Sequence, residues 1–318
     1  MLTLARRLSI AAAVGMFIVL LMGALVTKTG SGMGCGRSWP LCNGEFIPSY
    51  TIETAIEYSH RLVTSVEGLL LVGACATAFR FRKALPELKV LIPVTLFTLV
   101  LQSGMGALAV IWPQSPWVLA THFGISMTAV ASTALMARVL GEGPDRPPRN
   151  PYVVPKHFIW ATWGLLILVT VIAYMGAYVR HSKASLACAS WPLCNGKVLS
   201  GLTLPEGVVV AHRIAALIGL VVIVVMWRWA ATFTGRPDLG RIGLIATVIV
   251  VVQAMTGALV PLTQLSFWST MTHAGLMALL FVVCTEWCRL AMPQPTGKPA
   301  KSAAESGMPL ASSGSSAD

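Results

Sequence analysis

Long apolar segments separated by short polar ones dominate the hydropathy pattern of this chain. Eight of these segments reach about 20 residues, the length of helix that crosses roughly 30 Å of hydrocarbon. They lie at 8–27, 60–79, 90–112, 117–137, 157–179, 207–227, 242–262 and 267–290. The first follows Arg6 and Arg7 as a signal peptide would, but its apolar run is too long and no small-residue cleavage site follows it. The pattern therefore predicts an all-α polytopic membrane protein with eight transmembrane helices.

The composition supports this class of protein. Of the 318 residues, 55% are hydrophobic and 11% are charged, whereas soluble domains carry about 25% charged residues. This scarcity of charge excludes an ordinary soluble enzyme, a disordered protein and a fibrous repeat. The formal net charge of +11 does not predict a nucleic-acid partner, because the basic residues lie in short loops between the apolar segments, where they set orientation in the bilayer.

The distribution of basic residues predicts the orientation. Sixteen of the 23 Lys and Arg residues fall on one side of the predicted membrane and seven on the other. The positive-inside rule then places both termini in the cytoplasm and the two long loops, 28–59 and 180–206, outside the cell membrane. Each outer loop carries one close cysteine pair, in a compartment where disulfides persist: Cys35 with Cys42, and Cys188 with Cys194. We expect structural disulfide rings, with a redox-active first pair as the alternative.

An internal repeat divides the chain into halves. The segment SWPLCNG at 38–44 recurs unchanged at 190–196, and further matches persist at nearly the same offset. The repeat predicts two tandem four-helix bundles related by a pseudo-twofold axis along the membrane normal. The predicted divisions are an N-terminal bundle, a cytoplasmic linker, a C-terminal bundle and a disordered tail, at 1–140, 141–156, 157–292 and 293–318.

Four histidines recur across the repeat, near the outer ends of the second, fourth, sixth and eighth spans. Ionisable residues inside spans are costly and usually functional. Each half offers two imidazoles on different helices without a repeated carboxylate or thiolate at ligand spacing, which favours bis-imidazole ligation of haem iron over a zinc site. Hydrogen-bonded core histidines are the alternative interpretation. The candidate iron ligands are His60, His122, His212 and His273.

One carboxylate breaks the match between the halves. Residues 57–61 read EYSHR and residues 209–213 read VVAHR, so Glu57 stands where the second half has Val209. Glu57 lies on the same helix face as His60 and could act as a base or stabilise positive charge; a surface glutamate that caps the span is the alternative. Glu67, deeper in the span, either lines a proton route or pairs with a polar neighbour.

The segment LVTKTGSGMGCGRSWPLCNG at 25–44, the segment IEYSHR at 56–61, the paired WPLCNG loops and the four histidines together resemble the haem A synthase family. The resemblance implies oxidation of the C8 methyl of haem O to the formyl group of haem A, for assembly of haem-copper oxidases. It also implies a cofactor, haem b, and a substrate, haem O, with haem O synthase and cytochrome oxidase assembly factors as possible partners.

The resemblance assigns roles to residues of both halves. It implies haem b at His212 and His273, and the substrate haem at His60 and His122. It implicates Glu57 in catalysis and Cys35–Cys42 as an outer disulfide. Glu67 departs from the family pattern, which gives it no role.

Ligation of both irons by two histidines has a mechanistic consequence. Neither iron then has an open position for O2, so we hypothesise that water supplies the formyl oxygen and that Glu57 takes up protons. Two other functions stay open: a di-haem b-type electron-transfer protein, and a haem-binding exporter or chaperone. The first class usually places haems near both membrane faces, whereas all four histidines lie near one. The second class has no need of a carboxylate in one half.

Overall fold

The computed structural model describes residues 1–49, 51–112, 115–147, 154–197 and 205–294. Within them the chain forms eight long helices and no strand. All eight helices are long and apolar enough to cross a membrane, so the predicted all-α, multi-pass membrane protein is confirmed. The helices are α1 (Leu2–Thr29), α2 (Ile52–Ala78), α3 (Leu88–Ile111), α4 (Pro116–Glu142), α5 (Lys156–His181), α6 (Glu206–Ala230), α7 (Pro237–Leu262) and α8 (Phe267–Ala291).

The start of α2 differs from the prediction of a span at 60–79. The helix begins at Ile52, and the side chain of Thr51 caps it by accepting a hydrogen bond from the Thr54 N–H. The first two turns of α2 contain several polar residues, so an apolar pattern alone misses them. His60 therefore lies about two turns inside the helix rather than at its first residue.

Helices α1, α4, α5 and α8 pack together at the centre, with α2 and α3 on one side and α6 and α7 on the other. In α4 and α8, 67% and 61% of the most apolar window is buried, against 17% to 33% in the other six helices. Small residues on α4, among them Ala129 and Ala131, permit this close approach. The main hydrophobic core contains residues of both halves.

The predicted division of the chain stays a prediction, as does the pseudo-twofold axis. Residues 148–153 of the linker and residues 295–318 of the tail lie outside the described residues. The described helices of the two halves share one contiguous core, which places their candidate sites within a single packed body.

Polar contacts join the two halves at one end of the bundle, which we call the disulfide end because both cysteine loops lie there. The Lys28 ammonium donates to the carbonyl of Leu265. Arg180 Nη2 donates to the carbonyl of Ala24 over 2.8 Å. The ends of α1, α5 and α8 are therefore held together here.

A cluster of charged side chains, largely buried except for Arg138, joins the halves at the opposite end, which we call the ionic end. Arg289 on α8 contacts Glu142 on α4, with 2.6 Å between Nη2 and Oε1. Arg146 pairs with Glu87 at 2.6 Å and with Glu142 at 2.7 Å. The cluster consists of Glu87, Arg138, Glu142, Arg146, Glu286 and Arg289. The assignment of this end to the cytoplasm stays a prediction.

Candidate functional site

The four predicted ligand histidines lie on α2, α4, α6 and α8, each about two turns from the start of its helix and toward the disulfide end. His60 and His122 are close enough to interact electrostatically, and so are His212 and His273. The structure thus brings each predicted pair together within its own half. Iron ligation by these pairs stays a prediction.

In the first half, each imidazole faces a glycine on a neighbouring helix. A Cβ added at Gly23 on α1 would lie 3.5 Å from Cε1 of His60, and one added at Gly106 on α3 would lie 3.7 Å from Cε1 of His122. These are ordinary van der Waals separations. The two rings therefore have some room beside the backbone of α1 and α3.

In the second half, the corresponding contacts are tighter. A Cβ at Gly176 on α5 would lie 2.8 Å from Cε1 of His212, and one at Gly257 on α7 would lie 3.0 Å from Cε1 of His273. A methyl group at Gly176 would collide with the ring of His212, and one at Gly257 would require the ring of His273 to shift by a few tenths of an ångström. Glycine at both positions therefore allows these imidazoles to lie close to the backbone of α5 and α7.

Three of the four imidazoles have an orphaned nitrogen. The Nδ1 atoms of His60, His122 and His212 are buried and have no hydrogen-bond partner among the described residues. Most buried polar atoms in proteins are paired, and an unpaired one calls for an explanation such as a missing ion or cofactor. Rings set against glycine in an apolar bundle, with unpaired nitrogens, are suited to a flat metal macrocycle.

His273 differs because both of its ring nitrogens have partners. Nδ1 lies 3.2 Å from Oγ1 of Thr256, and Nε2 lies 3.5 Å from the amide nitrogen of Gln253. The Thr256 hydroxyl also lies 3.0 Å from the Gln253 carbonyl, to which it can only donate; when it does so, it accepts from Nδ1–H of His273. This arrangement leaves the Nε2 lone pair to receive the Gln253 amide, or a metal.

Glu57 is buried, with 3% of its surface exposed. Its Oε2 accepts a hydrogen bond from the backbone N–H of Cys35 at 2.9 Å, and its Oε1 lies 2.6 Å from Nη2 of Arg61. The interpretation of Glu57 as a surface cap of the helix is therefore wrong, since Thr51 caps α2. The carboxylate instead ties α2 to the first cysteine loop.

Both predicted disulfides are confirmed: Cys35 is bonded to Cys42, and Cys188 to Cys194. The arginine that directly follows His60 on α2, and the one that follows His212 on α6, each donate hydrogen bonds to backbone carbonyls of the neighbouring disulfide loop. Arg61 Nη1 donates to Ser38 and Leu41 at 2.9 and 2.8 Å, and Arg213 donates to Cys188, Pro192 and Leu193 at 3.0 to 3.2 Å. The second loop has no carboxylate equivalent to Glu57, because buried Val209 occupies that position.

Comparison with known proteins identifies the family. The model of the COX15-CtaA family, described as cytochrome oxidase assembly protein, matches residues 6–55 and 49–285. The chain belongs to this family. It is 38% identical over 292 residues to the haem A synthase of Symbiobacterium thermophilum, covering 91% of this chain and 95% of that protein. It is 39% identical over 289 residues to the haem A synthase of Geobacillus kaustophilus, covering 89% and 90%.

Glu67, the carboxylate to which the family pattern gives no role, lies in the seam between α1 and α2. It is 4% exposed, and its Oε1 has no hydrogen-bond partner among the described residues. A Cβ at Gly15 would lie 1.9 Å from its Oε2, so the carboxylate occupies the space that glycine leaves. In the second half Gly219 occupies the repeat position, and Cδ1 of Ile172 fills the equivalent space. The proton route predicted for Glu67 stays a prediction.

Sequence reasoning missed the glycines opposite the histidines and the contact between Thr256 and His273. A signal for the glycines was present, because Gly23 and Gly106 recur in the repeat as Gly176 and Gly257. No comparable signal marked Thr256, since the repeat places Met105 at that position.

Proposed function

We propose that this protein is a haem A synthase of the cell membrane, which oxidises the C8 methyl of haem O to the formyl group of haem A. The observation that carries the proposal is a difference in charge beside two histidine pairs that recur across the repeat. A buried carboxylate, Glu57, stands three residues before His60 on α2, and Val209 takes the corresponding place before His212. The names of the relatives support the same activity.

The two halves take different haems in this proposal. His212 and His273 hold haem b, which when bound supplies one-electron redox chemistry. His60 and His122 hold the substrate, haem O. The orphaned ring nitrogens and the glycines beside all four rings support this use of the histidines.

The reaction defines what Glu57 must do. Conversion of a methyl group and one water to a formyl group releases four protons and four electrons, and the electrons pass to an external acceptor. Glu57 accepts protons near the reacting methyl. The Cys35 N–H and the Arg61 guanidinium hold its carboxylate in one orientation, so a base stays in place through successive oxidations.

The position of Glu57 suits this role. The C8 methyl shares a pyrrole ring with a propionate, and propionates favour the polar surface over the apolar interior. A substrate oriented with its propionates toward the disulfide end brings that methyl to the side on which Glu57 lies. This orientation agrees with an extracytoplasmic disulfide end and a cytoplasmic ionic end. Haem O synthase and oxidase assembly factors are the proposed partners.

Substitution of Glu57 by Gln tests the proposal. The variant keeps the side-chain shape and an oxygen acceptor for the Cys35 N–H, so we expect it to bind haem but to accumulate haem O or an alcohol intermediate. The measurement is chromatography of extracted haems after expression with a haem O source. Glu53→Gln is the matched control, because Glu53 is an exposed carboxylate on the same helix.

Two results would contradict the proposal. A normal yield of haem A from Glu57→Gln would remove Glu57 from the mechanism. Absence of haem A and its hydroxylated precursor from the wild type would instead support electron transfer or haem export.

A further inference from the structure

We infer that Thr256 is a positioning residue that makes the second haem site retentive, and that Met105 at its repeat position keeps the first site exchangeable. This inference rests on the proposed function, since it needs one resident haem and one substrate haem. Thr256 acts through His273, which its hydroxyl contacts at 3.2 Å.

The chain of contacts around His273 selects one tautomer. The hydroxyl of Thr256 is committed as a donor to the carbonyl of Gln253, so only its lone pairs face Nδ1. Nδ1 must then carry the proton, and Nε2 keeps a lone pair. A histidine that donates its second N–H in this way is fixed in orientation and is a more basic metal ligand.

The first half lacks this support. Met105 stands at the position of Thr256, one residue before Gly106 as Thr256 stands before Gly257, and a thioether is at best a weak acceptor. Nδ1 of His122 has no partner among the described residues. The amide of Gln102 contacts Sδ of Met16 at 3.8 Å, rather than the nearby imidazole as Gln253 does. His122 therefore lacks the side-chain contacts that His273 makes with Gln253 and Thr256.

Packing around the rings differs in the same direction. The Cβ positions of Gly176 and Gly257 lie 2.8 and 3.0 Å from their imidazoles, against 3.5 and 3.7 Å for Gly23 and Gly106. Tight packing restricts a side chain to one arrangement, so the second half is built around fixed rings.

This difference matches what each site must do. A substrate haem has to enter and its product has to leave at every turnover, so firm ligation would slow the cycle. A resident haem has to stay through many cycles. The hydroxyl of Thr256 on α7 is present in the second half only, so this single group can give the second site slow release of haem while the first site exchanges it.

Haem exchange tests the inference without any methyl oxidation. We would load the detergent-solubilised full chain with ferric haem b and follow its transfer to excess apomyoglobin by absorbance. The wild type should release haem in a fast and a slow phase. His122→Leu should abolish the fast phase and His273→Leu the slow phase, which assigns each phase to one half.

Thr256→Val removes the hydroxyl with little change of shape. Loss of such a supporting contact typically weakens metal binding about 10- to 100-fold, so the slow phase should accelerate by a similar factor. The midpoint potential of the slowly released haem should rise, because a less basic ligand stabilises ferric iron less. Thr256→Ser should restore both values, and Met105→Thr should slow the fast phase.

Each outcome decides a different point. A slow phase and a potential that are unchanged in Thr256→Val would overturn the role of Thr256. Two bound haems released in a single phase would overturn the difference in retention while leaving the proposed activity intact. A wild type that binds no haem would overturn the proposed function itself.

Discussion

The two halves of this protein share a framework and differ in what surrounds it. In both, a histidine about two turns into each of two helices faces a glycine, and an arginine anchors a disulfide loop. The first half adds two buried carboxylates, Glu57 and Glu67, where the second half has Val209 and Gly219. The common framework therefore accounts for binding, and the departures from it mark where the chemistry of one half diverges.

The comparison also separates two kinds of buried carboxylate. Glu57 has a guanidinium and a backbone N–H as partners, so its charge is compensated. Glu67 has an oxygen without a partner among the described residues, in a seam between two apolar helices. Burial without compensation costs free energy, and the second half avoids this cost at the corresponding position because Gly219 stands there.

The largest expected effect tests whether the halves unfold as one unit. Arg289→Ala leaves partly buried Glu142 and buried Glu286 without their shared guanidinium, and breaking a buried ion pair typically costs about 3–5 kcal/mol. Glu142 keeps Arg146 at 2.7 Å, so we expect a loss near the lower end of this range, seen as a lower midpoint of thermal unfolding in detergent and a transition split into two. Arg241→Ala, at an exposed position on α7, is the control. A single transition at the wild-type temperature would show that the ionic end does not join the halves.

A smaller effect tests the difference in ring packing. Gly176→Ala forces His212 from its position, and overpacking of this kind costs about 1–3 kcal/mol, equivalent to roughly 5- to 150-fold weaker haem binding. Gly23→Ala introduces a methyl group at an ordinary contact distance from His60, so its effect should stay within about 0.5 kcal/mol. Haem titration of each purified variant measures both. Equal losses would mean that the two sites are equally tight.

The smallest effect concerns the seam that holds Glu67. Gly15→Ala should lower stability by about 1–2 kcal/mol, because the Glu67 carboxylate has to leave its space. Gly219→Ala should be nearly neutral, since the end of the Ile172 side chain can rotate away from the new methyl group. Thermal unfolding in detergent compares the two. The addition of Glu67→Ala should rescue Gly15→Ala; failure of that rescue would locate the clash elsewhere.

Most of the fold could be predicted from the sequence, because apolar segments of membrane length have few alternative structures. The start of α2 could not, because its first turns are polar and are held by the Thr51 cap and by the contact of Glu57 with the cysteine loop. A hydropathy pattern detects residues that face lipid, and it does not detect polar residues, such as Glu57, that are buried under a loop.

The candidate site divides in the same way. The repeat identified the four histidines as matches and Glu57 as a mismatch, because aligning the halves compares residue types at fixed positions. It could not show that Arg289 reaches Glu142, since a contact between residues 147 positions apart depends on how α4 and α8 pack. Charges that sequence reasoning used only to orient the chain are thus a structural junction.

That junction has a consequence for how the chain is made. Glu142 and Arg289 are separated by 147 residues, which at about 5–20 residues per second takes a ribosome roughly 7–30 s to synthesise. During this interval only Arg138 and Arg146, from the same part of the chain, can neutralise Glu142. The ionic cluster of the first half therefore stays incomplete until α8, which carries Arg289, has been synthesised and inserted.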